Sequence, residues 1–162
     1  MKLYYGKLSW NSSTYIVAST KKGLAFVGSP NQSLKEIDDF YHGADIIHDE
    51  KANSGVIKEL KEYLSGKRTT FDISLDVQIG TPLQKSVWQQ LRSVACGSTI
   101  NYSELAEKVG HPTAIRAVAS AVARNPILMI VPCHRVLRKD GSIGQYRGGV
   151  EMKRELLALE EQ

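Results

Sequence analysis

Three runs of apolar and β-branched residues open the chain and alternate with polar positions. They cover residues 3–10, 14–18 and 24–27, and short Asn-Ser-Ser and Lys-Lys-Gly turns separate them. Alternation of this kind is typical of half-buried strands, and closely spaced turns favour strands that follow one another in the sheet. The pattern predicts a small antiparallel meander.

The pattern then changes from strand to helix and back. Apolar residues three or four positions apart predict a helix over 54–64, which Gly66 ends. Residues 71–75 alternate again and predict one more strand, and residues 76–82 have the composition of a linker. We therefore expect an α/β scaffold domain over 1–78, to which no chemistry is assigned.

Helical spacing dominates the second half of the chain, residues 79–162. Pro82 stands at a first helical position with Thr81 as its N-cap. The apolar stripe of this helix is formed by Leu83, Val87, Leu91 and Val94. Asn101 and Glu104 have the spacing of an N-cap and its third helical residue, so a second helix begins there.

This second helix ends at Gly110, and a third follows over about 113–123. Two short helices joined by a glycine-containing turn predict a helix-turn-helix. The residues expected to pack inward are Ile115, Val118 and Val122. The opposite face carries Arg116, Ala119, Ser120 and Ala123. Because that face has one long cation among small side chains, it favours a contact that follows DNA shape, with Arg116 reaching into the base stack; a tightly packed Ala-rich helix is the alternative.

A chemically reactive segment comes next. The apolar run 127–131 predicts a buried strand, and Cys133 follows with His134 beside it. A thiolate is the nucleophilic form of cysteine, and a neighbouring histidine or cation increases its population. Arg135 and Arg138 are expected to favour that anion, whereas the alternative is a structural buried cysteine.

Beyond the cysteine, an Asp-Gly pair at 140–141 predicts a turn, and a glycine-rich loop at 143–149 carries Tyr146. Its glycines allow backbone amides to approach a planar ligand. A last helix is predicted over 151–160, and its inward side chains are Met152, Leu156 and Leu159.

Charge separates the two halves. The chain has a net charge of +4, and residues 1–79 are neutral, with ten basic and ten acidic groups. Residues 80–150 hold nine basic and three acidic groups, an excess of six positive charges. Such an excess is typical of a phosphate-backbone partner, although a solvated basic surface is the alternative. The two cysteines are too few for a disulfide framework, which favours a reduced, cytoplasmic protein with no membrane segment.

Several motifs resemble the active-site signature of the O6-alkylguanine-DNA alkyltransferases. They are Asn-Pro at 125–126, Val-Pro-Cys-His-Arg-Val at 131–136 and Gly-Gln-Tyr-Arg-Gly-Gly at 144–149, with upstream matches at 82–88, 102–105 and 116–118. The resemblance covers about residues 80–160. It implies a ribonuclease H-like α/β N-terminal domain and a mainly α, winged helix-turn-helix-like DNA-binding domain.

The resemblance also implies a division of roles. Cys133 would accept the alkyl group irreversibly, with His134 as its water-mediated base and Glu160, rather than Glu161, orienting that histidine. Asn125 would hold the active-site loop. Tyr146 would also act in catalysis by donating to the leaving guanine in the transition state. The guanine pocket would be lined by Tyr102, Val136, Tyr146, Arg147 and Gly148, and DNA would be contacted by Tyr102, Ser103, His111, Arg116, Ser120 and Lys139.

The expected partner is double-stranded DNA containing O6-alkylguanine, bound through the minor groove by a monomer without cofactor or metal. Arg147 departs from the family's usual Ser or Ala and would either narrow the pocket or contact a phosphate. The competing interpretations are a non-catalytic sensor of alkylation damage, which the presence of Cys133 opposes, and a cysteine hydrolase, which has no need of a helix-turn-helix.

Overall fold

The structure, a computed structural model, describes all 162 residues and divides into two compact units, Met1–Ile79 and Gly80–Gln162. The first unit contains a four-stranded sheet in the order β3-β2-β1-β4. Its strands are β1 (Lys2–Trp10), β2 (Ser13–Ser19), β3 (Leu24–Val27) and β4 (Asp45–His48).

The predicted antiparallel meander is confirmed for β1 to β3. Asn11 and Ser12 connect β1 to β2 with positive φ angles of 46° and 68°, the geometry that a two-residue hairpin between twisted strands requires. The fourth strand was not predicted and pairs with β1 in parallel, so the sheet is mixed.

The predicted strand at 71–75 is wrong. This segment has no regular secondary structure and makes only one isolated bridge, between Leu24 and Leu75. Leu24 N donates to the Ser74 carbonyl at 2.9 Å, and Asp76 N donates to the Leu24 carbonyl at 2.7 Å. Alternation alone does not make a strand when the chain meets its neighbour at a single residue.

Two helices complete the first unit, α1 (Lys35–Phe40) and α2 (Ser54–Leu64), and the second has the predicted bounds. The core beside the sheet contains Leu3, Ile16, Phe26, Ile37 and Phe40.

The second unit is mainly helical. Its helices are α3 (Pro82–Leu91), α4 (Tyr102–Lys108), α5 (Ile115–Ala123) and α6 (Val150–Glu160), and its two-residue strands β5 (Ile100–Asn101) and β6 (Val136–Leu137) pair in parallel. The predicted N-caps Thr81 and Asn101 are confirmed, each in a capping box with the third helical residue. No helix in the chain is long and apolar enough to cross a membrane.

Helix α5 is fixed against α3 by one buried hydrogen bond, in which Trp88 Nε1 donates to the Ala121 carbonyl at 2.8 Å. Val118 and Val122 are buried as predicted. The inward placement of Ile115 is wrong, since this residue is 40% exposed. Ile115 is the first residue of α5 and lines a cavity instead of the core.

The cap of α4 gives a stability prediction. Asn101 Oδ1 accepts the Glu104 backbone N–H at 2.9 Å, and an Asn101→Ala variant loses this bond. We expect Asn101→Ala to lower the free energy of unfolding by about 1 kcal/mol in chemical denaturation, and Asn101→Ser to lower it by only a few tenths, because serine caps almost as well. Equal losses for the two variants would contradict the role of the side-chain oxygen.

Candidate active site

The segment that leads to Cys133 is buried, but the predicted strand over 127–131 is wrong. The run folds as successive tight turns, in which Ile130 N donates to the Leu128 carbonyl and Val131 N to the Ile127 carbonyl. Met129 has a φ of +70°, which breaks any extended path. Cys133 then begins a short 3₁₀ helix, Cys133–Arg135.

Asn125 explains why these turns hold their shape. Its side chain is almost fully buried, and Oδ1 accepts the Ile127 N–H at 2.9 Å. Its Nδ2 group donates to the Val131 carbonyl at 2.8 Å and to Cys133 Sγ at 3.1 Å. One amide therefore satisfies both ends of the turn segment and also directs a hydrogen-bond donor at the sulfur.

His134 and Arg135 both contact the carboxylate of Glu160, the glutamate chosen from the sequence. His134 Nε2 lies 2.6 Å from Glu160 Oε2. Arg135 donates through Nε to Oε1 at 2.8 Å and through Nη2 to Oε2 at 2.9 Å. All three side chains are buried. Since a carboxylate only accepts, Nε2 of His134 carries the hydrogen, and Nδ1 is the nitrogen that can take a proton.

The pKa values describe a neutral resting pair. Burial lowers the pKa of His134 below 6.5, and the bond to Glu160 only partly opposes this effect. Burial raises the pKa of the Cys133 thiol, opposed by the Asn125 hydrogen bond and by the charges of Arg147 and Lys153. Of the two cations predicted to stabilise the thiolate, Arg135 is bound to Glu160 instead, whereas Arg138 lines the cavity together with Cys133.

Cys133 lies in the wall of a cavity of about 550 Å³, a volume within the range of roughly 300–1,000 Å³ typical of small-molecule sites. The predicted site residues that share this wall with it are Tyr102, Arg116, Tyr146 and Arg147. The cavity is also lined by residues to which the sequence assigned no pocket role, Ile115, Ala119, Val122, Ala123, Arg138 and Gln145. Two of these, Ala119 and Ala123, belong to the small-residue face of α5, which was the available signal.

Tyr146 stands with its ring at 82° to the His134 ring, at a centroid distance of 6.3 Å. Gly148 allows this placement. A Cβ atom at Gly148 would lie 2.7 Å from Tyr146 Cε2 and 2.5 Å from Met152 Sδ, closer than van der Waals contact permits. Gly148 therefore shapes the wall without lining the cavity itself.

Arg147 links the glycine-rich loop to the cysteine segment. Its Nη2 and Nε donate to the Asn125 carbonyl at 2.9 and 3.2 Å. The guanidinium thus forms part of the cavity wall and is anchored to the backbone of the residue whose side chain contacts the sulfur. If Arg147 also contacted a phosphate, its guanidinium would have to do so while keeping its hydrogen bonds to the Asn125 carbonyl.

Val136 does not line the cavity. It is fully buried, and its carbonyl accepts a hydrogen bond at 2.7 Å from Lys153, a residue that sequence reasoning missed. Lys153 is also fully buried. The signal was present in the spacing, because Lys153, Leu156 and Glu160 fall on one face of α6 at intervals of three and four.

The remaining predicted DNA contacts lie on the surface of the second unit. His111, Arg116, Ser120 and Lys139 are exposed, and Ser103 is half-buried near the start of α4. Lys139 precedes the predicted turn, which is closed by Gly141 N donating to the Arg138 carbonyl at 2.9 Å. Of these residues only Arg116 reaches the cavity.

Two family models match the chain and together cover nearly all of it. Residues 3–77 match the ribonuclease-like domain of 6-O-methylguanine DNA methyltransferase, and residues 82–162 match its DNA binding domain. The division of the chain between the two units, at residues 79 and 80, falls between the two matches.

Characterised relatives agree with these models. The inducible methylated-DNA–protein-cysteine methyltransferase of Bacillus subtilis is 40% identical over 98% of this chain and 90% of its own length. Escherichia coli Ada, a bifunctional transcriptional activator and DNA repair enzyme, is 37% identical, and this chain spans only 42% of it. The crystal structure of Mycobacterium tuberculosis OGT in complex with DNA has a TM-score of 0.86 and 35% identity, covering 98% of this chain and 92% of that one. The chain belongs to the 6-O-methylguanine DNA methyltransferase family.

Proposed function

We propose that this protein repairs O6-alkylguanine in double-stranded DNA by transferring the alkyl group to Cys133, irreversibly and once per molecule. One observation carries the proposal. A buried thiol, held by Asn125 and adjacent in the chain to a His134–Glu160 pair, lies in the wall of a cavity that it shares with α5. A non-catalytic damage sensor has no need of that arrangement.

The resting state requires the proton to move during the reaction. The thiol proton passes, through a water, to Nδ1 of the neutral His134, while Glu160 and its partner Arg135 hold the ring by Nε2. The sulfur attacks the alkyl carbon, so that an S–C bond forms as the C–O6 bond breaks. The bonding electron pair leaves on the guanine. The guanine takes up a proton equivalent to the one that the thiol gave to His134, so the base leaves neutral and His134 returns to its neutral form.

The fate of the sulfur explains the single turnover. The product at Cys133 is a thioether, and water does not hydrolyse a thioether under these conditions. Unlike the acyl-enzyme of a cysteine hydrolase, it has no carbonyl carbon that a second nucleophile could attack. The protein is therefore both catalyst and final acceptor.

The target base must leave the duplex to reach the sulfur, at a cost of a few kcal/mol. Tyr102, which lines the cavity, would crowd the phosphate of the target nucleotide, and Arg116 would fill the space that the base vacates. Ala119 and Ala123 share the face of α5 with Arg116, and small side chains allow the helix to approach the minor groove closely. Exposed Ser120, His111 and Lys139 would add contacts to the backbone.

The two halves of the chain have separate tasks in this proposal. Residues 79–162 bind DNA and accept the alkyl group, and residues 1–78 act as a scaffold. The protein acts as a monomer, since one chain supplies every residue named in the transfer. Its two free cysteines favour the reducing cytoplasm.

The first prediction concerns the site of transfer. After incubation with a duplex containing O6-methylguanine, we expect mass spectrometry to find one added methyl group per chain, confined to the Cys133 peptide. Cys133→Ser should gain none, because a hydroxyl is a far weaker nucleophile. Cys96, a half-buried second thiol, serves as the internal control. Methylation of Cys96, or continued turnover after one equivalent, would refute the proposal.

The second prediction concerns Arg116. Because this side chain would act only in a duplex, we expect Arg116→Ala to slow repair of duplex DNA by about tenfold or more, and to leave reaction with free O6-methylguanine base nearly unchanged. The matched control is Arg92→Ala, which removes an exposed arginine outside the cavity and should alter neither rate. Equal losses on duplex and free base would contradict the flipping role.

A further inference from the structure

A groove on the first unit, which we call the lysine groove, has no part in the proposed transfer. It lies between β1 and α2 and has a volume of about 690 Å³. Four of the residues that line it are lysines, Lys7, Lys51, Lys58 and Lys61, and all four are exposed. Glu50 is its one acidic lining residue.

Helical spacing places the lysines of α2 in a row. Ser54, Lys58 and Lys61 line the groove at intervals of four and three positions, so they share one face of the helix. At about 1.5 Å per residue, the row from Ser54 to Lys61 extends roughly 10 Å along the helix axis. Base pairs of a duplex follow one another at about 3.4 Å, so the row has the length of about three of them.

The acidic side chains of α2 do not neutralise this row. Glu62 follows Lys58 by four positions, the spacing of a helical ion pair, but its carboxylate lies 3.2 Å from Arg68 Nη2. Glu59 lies 3.2 Å from Nη1 of the same guanidinium. Because Arg68 holds both carboxylates, the four lysines of the groove form no ion pair within the chain.

Glu50, the acid of the groove, also has other partners. Its two carboxylate oxygens accept the Lys7 backbone N–H at 3.1 and 3.3 Å, and His48 Nε2 lies 3.1 Å from Oε1. Gly6 allows this approach, since a Cβ atom there would lie 2.8 Å from Glu50 Oε2. The carboxylate is therefore held against the backbone of β1. Four lysines against this one glutamate leave the groove an excess of three positive charges.

The composition of the groove favours a phosphate backbone as its partner. Lysine is a mobile point charge that binds phosphate oxygens without a fixed geometry. No aromatic side chain lines the groove, so unpaired bases have nothing on which to stack. Protein–protein interfaces are depleted of lysine and enriched in aromatic residues, which argues against a protein partner.

We propose that the lysine groove binds the phosphate backbone of double-stranded DNA. The first unit thus adds an electrostatic, sequence-independent contact to those of the second unit, besides its role as a scaffold. This contact requires neither a damaged base nor Cys133, so it is tested independently of alkyl transfer.

The first measurement is lysine footprinting of the intact chain with an amine-acetylating reagent and peptide mass spectrometry. We expect an undamaged duplex to protect Lys51, Lys58 and Lys61 from acetylation. Lys21 and Lys22, exposed lysines between β2 and β3, should react as before. Inorganic phosphate at the same phosphate concentration should protect none of them, because a single ion lacks the counterion release that drives binding to a duplex.

The second measurement is the salt dependence of affinity for the same duplex. We expect the double variant Lys58→Gln/Lys61→Gln to reduce the slope of log affinity against log salt by about two, close to 0.9 for each lost phosphate contact, and to weaken binding about tenfold at ~0.1 M salt. Glutamine is a good helix former, so these exposed substitutions should leave α2 folded.

Two double variants serve as matched controls. Lys21→Gln/Lys22→Gln removes the same charge from the same unit, and Lys58→Arg/Lys61→Arg keeps the charge of the groove. Both should bind the duplex with the slope of the intact chain. Methyl transfer from free O6-methylguanine base should be equal in all the variants, since the groove acts only on duplex DNA.

An unchanged slope in Lys58→Gln/Lys61→Gln, or an equal loss in Lys21→Gln/Lys22→Gln, would overturn the inference. Protection that follows protein concentration without DNA would also overturn it, in favour of contact with a second copy, as would protection by inorganic phosphate alone, in favour of a free-anion site. Failure of the proposed function gives a different result, in which duplex binding depends on the groove but Cys133 gains no methyl group.

Discussion

The buried carboxylate of Glu160 is the constraint on which the candidate site depends. It lies at the end of α6, receives two hydrogen bonds from the Arg135 guanidinium and contacts Nε2 of His134 at 2.6 Å. A buried carboxylate is tolerated only with such partners. Because Arg135 already balances its charge, Glu160 orients the histidine without forcing a proton onto it. The ring therefore remains a base.

Asn125 gives the sulfur a comparable environment. Its amide closes the turns before Cys133 and donates to Sγ, while Arg147 binds the carbonyl of the same residue. Burial disfavours a permanent thiolate, and these donors lower the free energy of a transient one. In the proposed transfer, this thiol is protonated at rest and gives up its proton when the target base occupies the cavity.

Much of the site was predictable from the sequence because its chemistry lies in short motifs. The caps at Thr81 and Asn101 depend on local spacing. The roles in the 131–136 motif and the choice of Glu160 followed from the resemblance to the alkyltransferases. The pairing of strands that lie far apart in the chain could not be predicted from the sequence. The parallel strand β4 depends on contacts with β1, and the apolar run 127–131 carries no periodicity that separates a strand from buried turns. Lys153 was overlooked because lysine is rarely buried, although its position on the same face of α6 as Leu156 and Glu160 indicated burial.

The resting protonation state is the feature from which the proposed transfer follows, and nitrogen NMR of His134 in the unreacted chain at neutral pH tests it most directly. We expect a neutral ring with its hydrogen on Nε2. We also expect the intact chain to show no more ultraviolet thiolate absorbance than the Cys133→Ser variant. A ring protonated on both nitrogens, together with thiolate absorbance from Cys133, would contradict a neutral site and indicate a preformed ion pair.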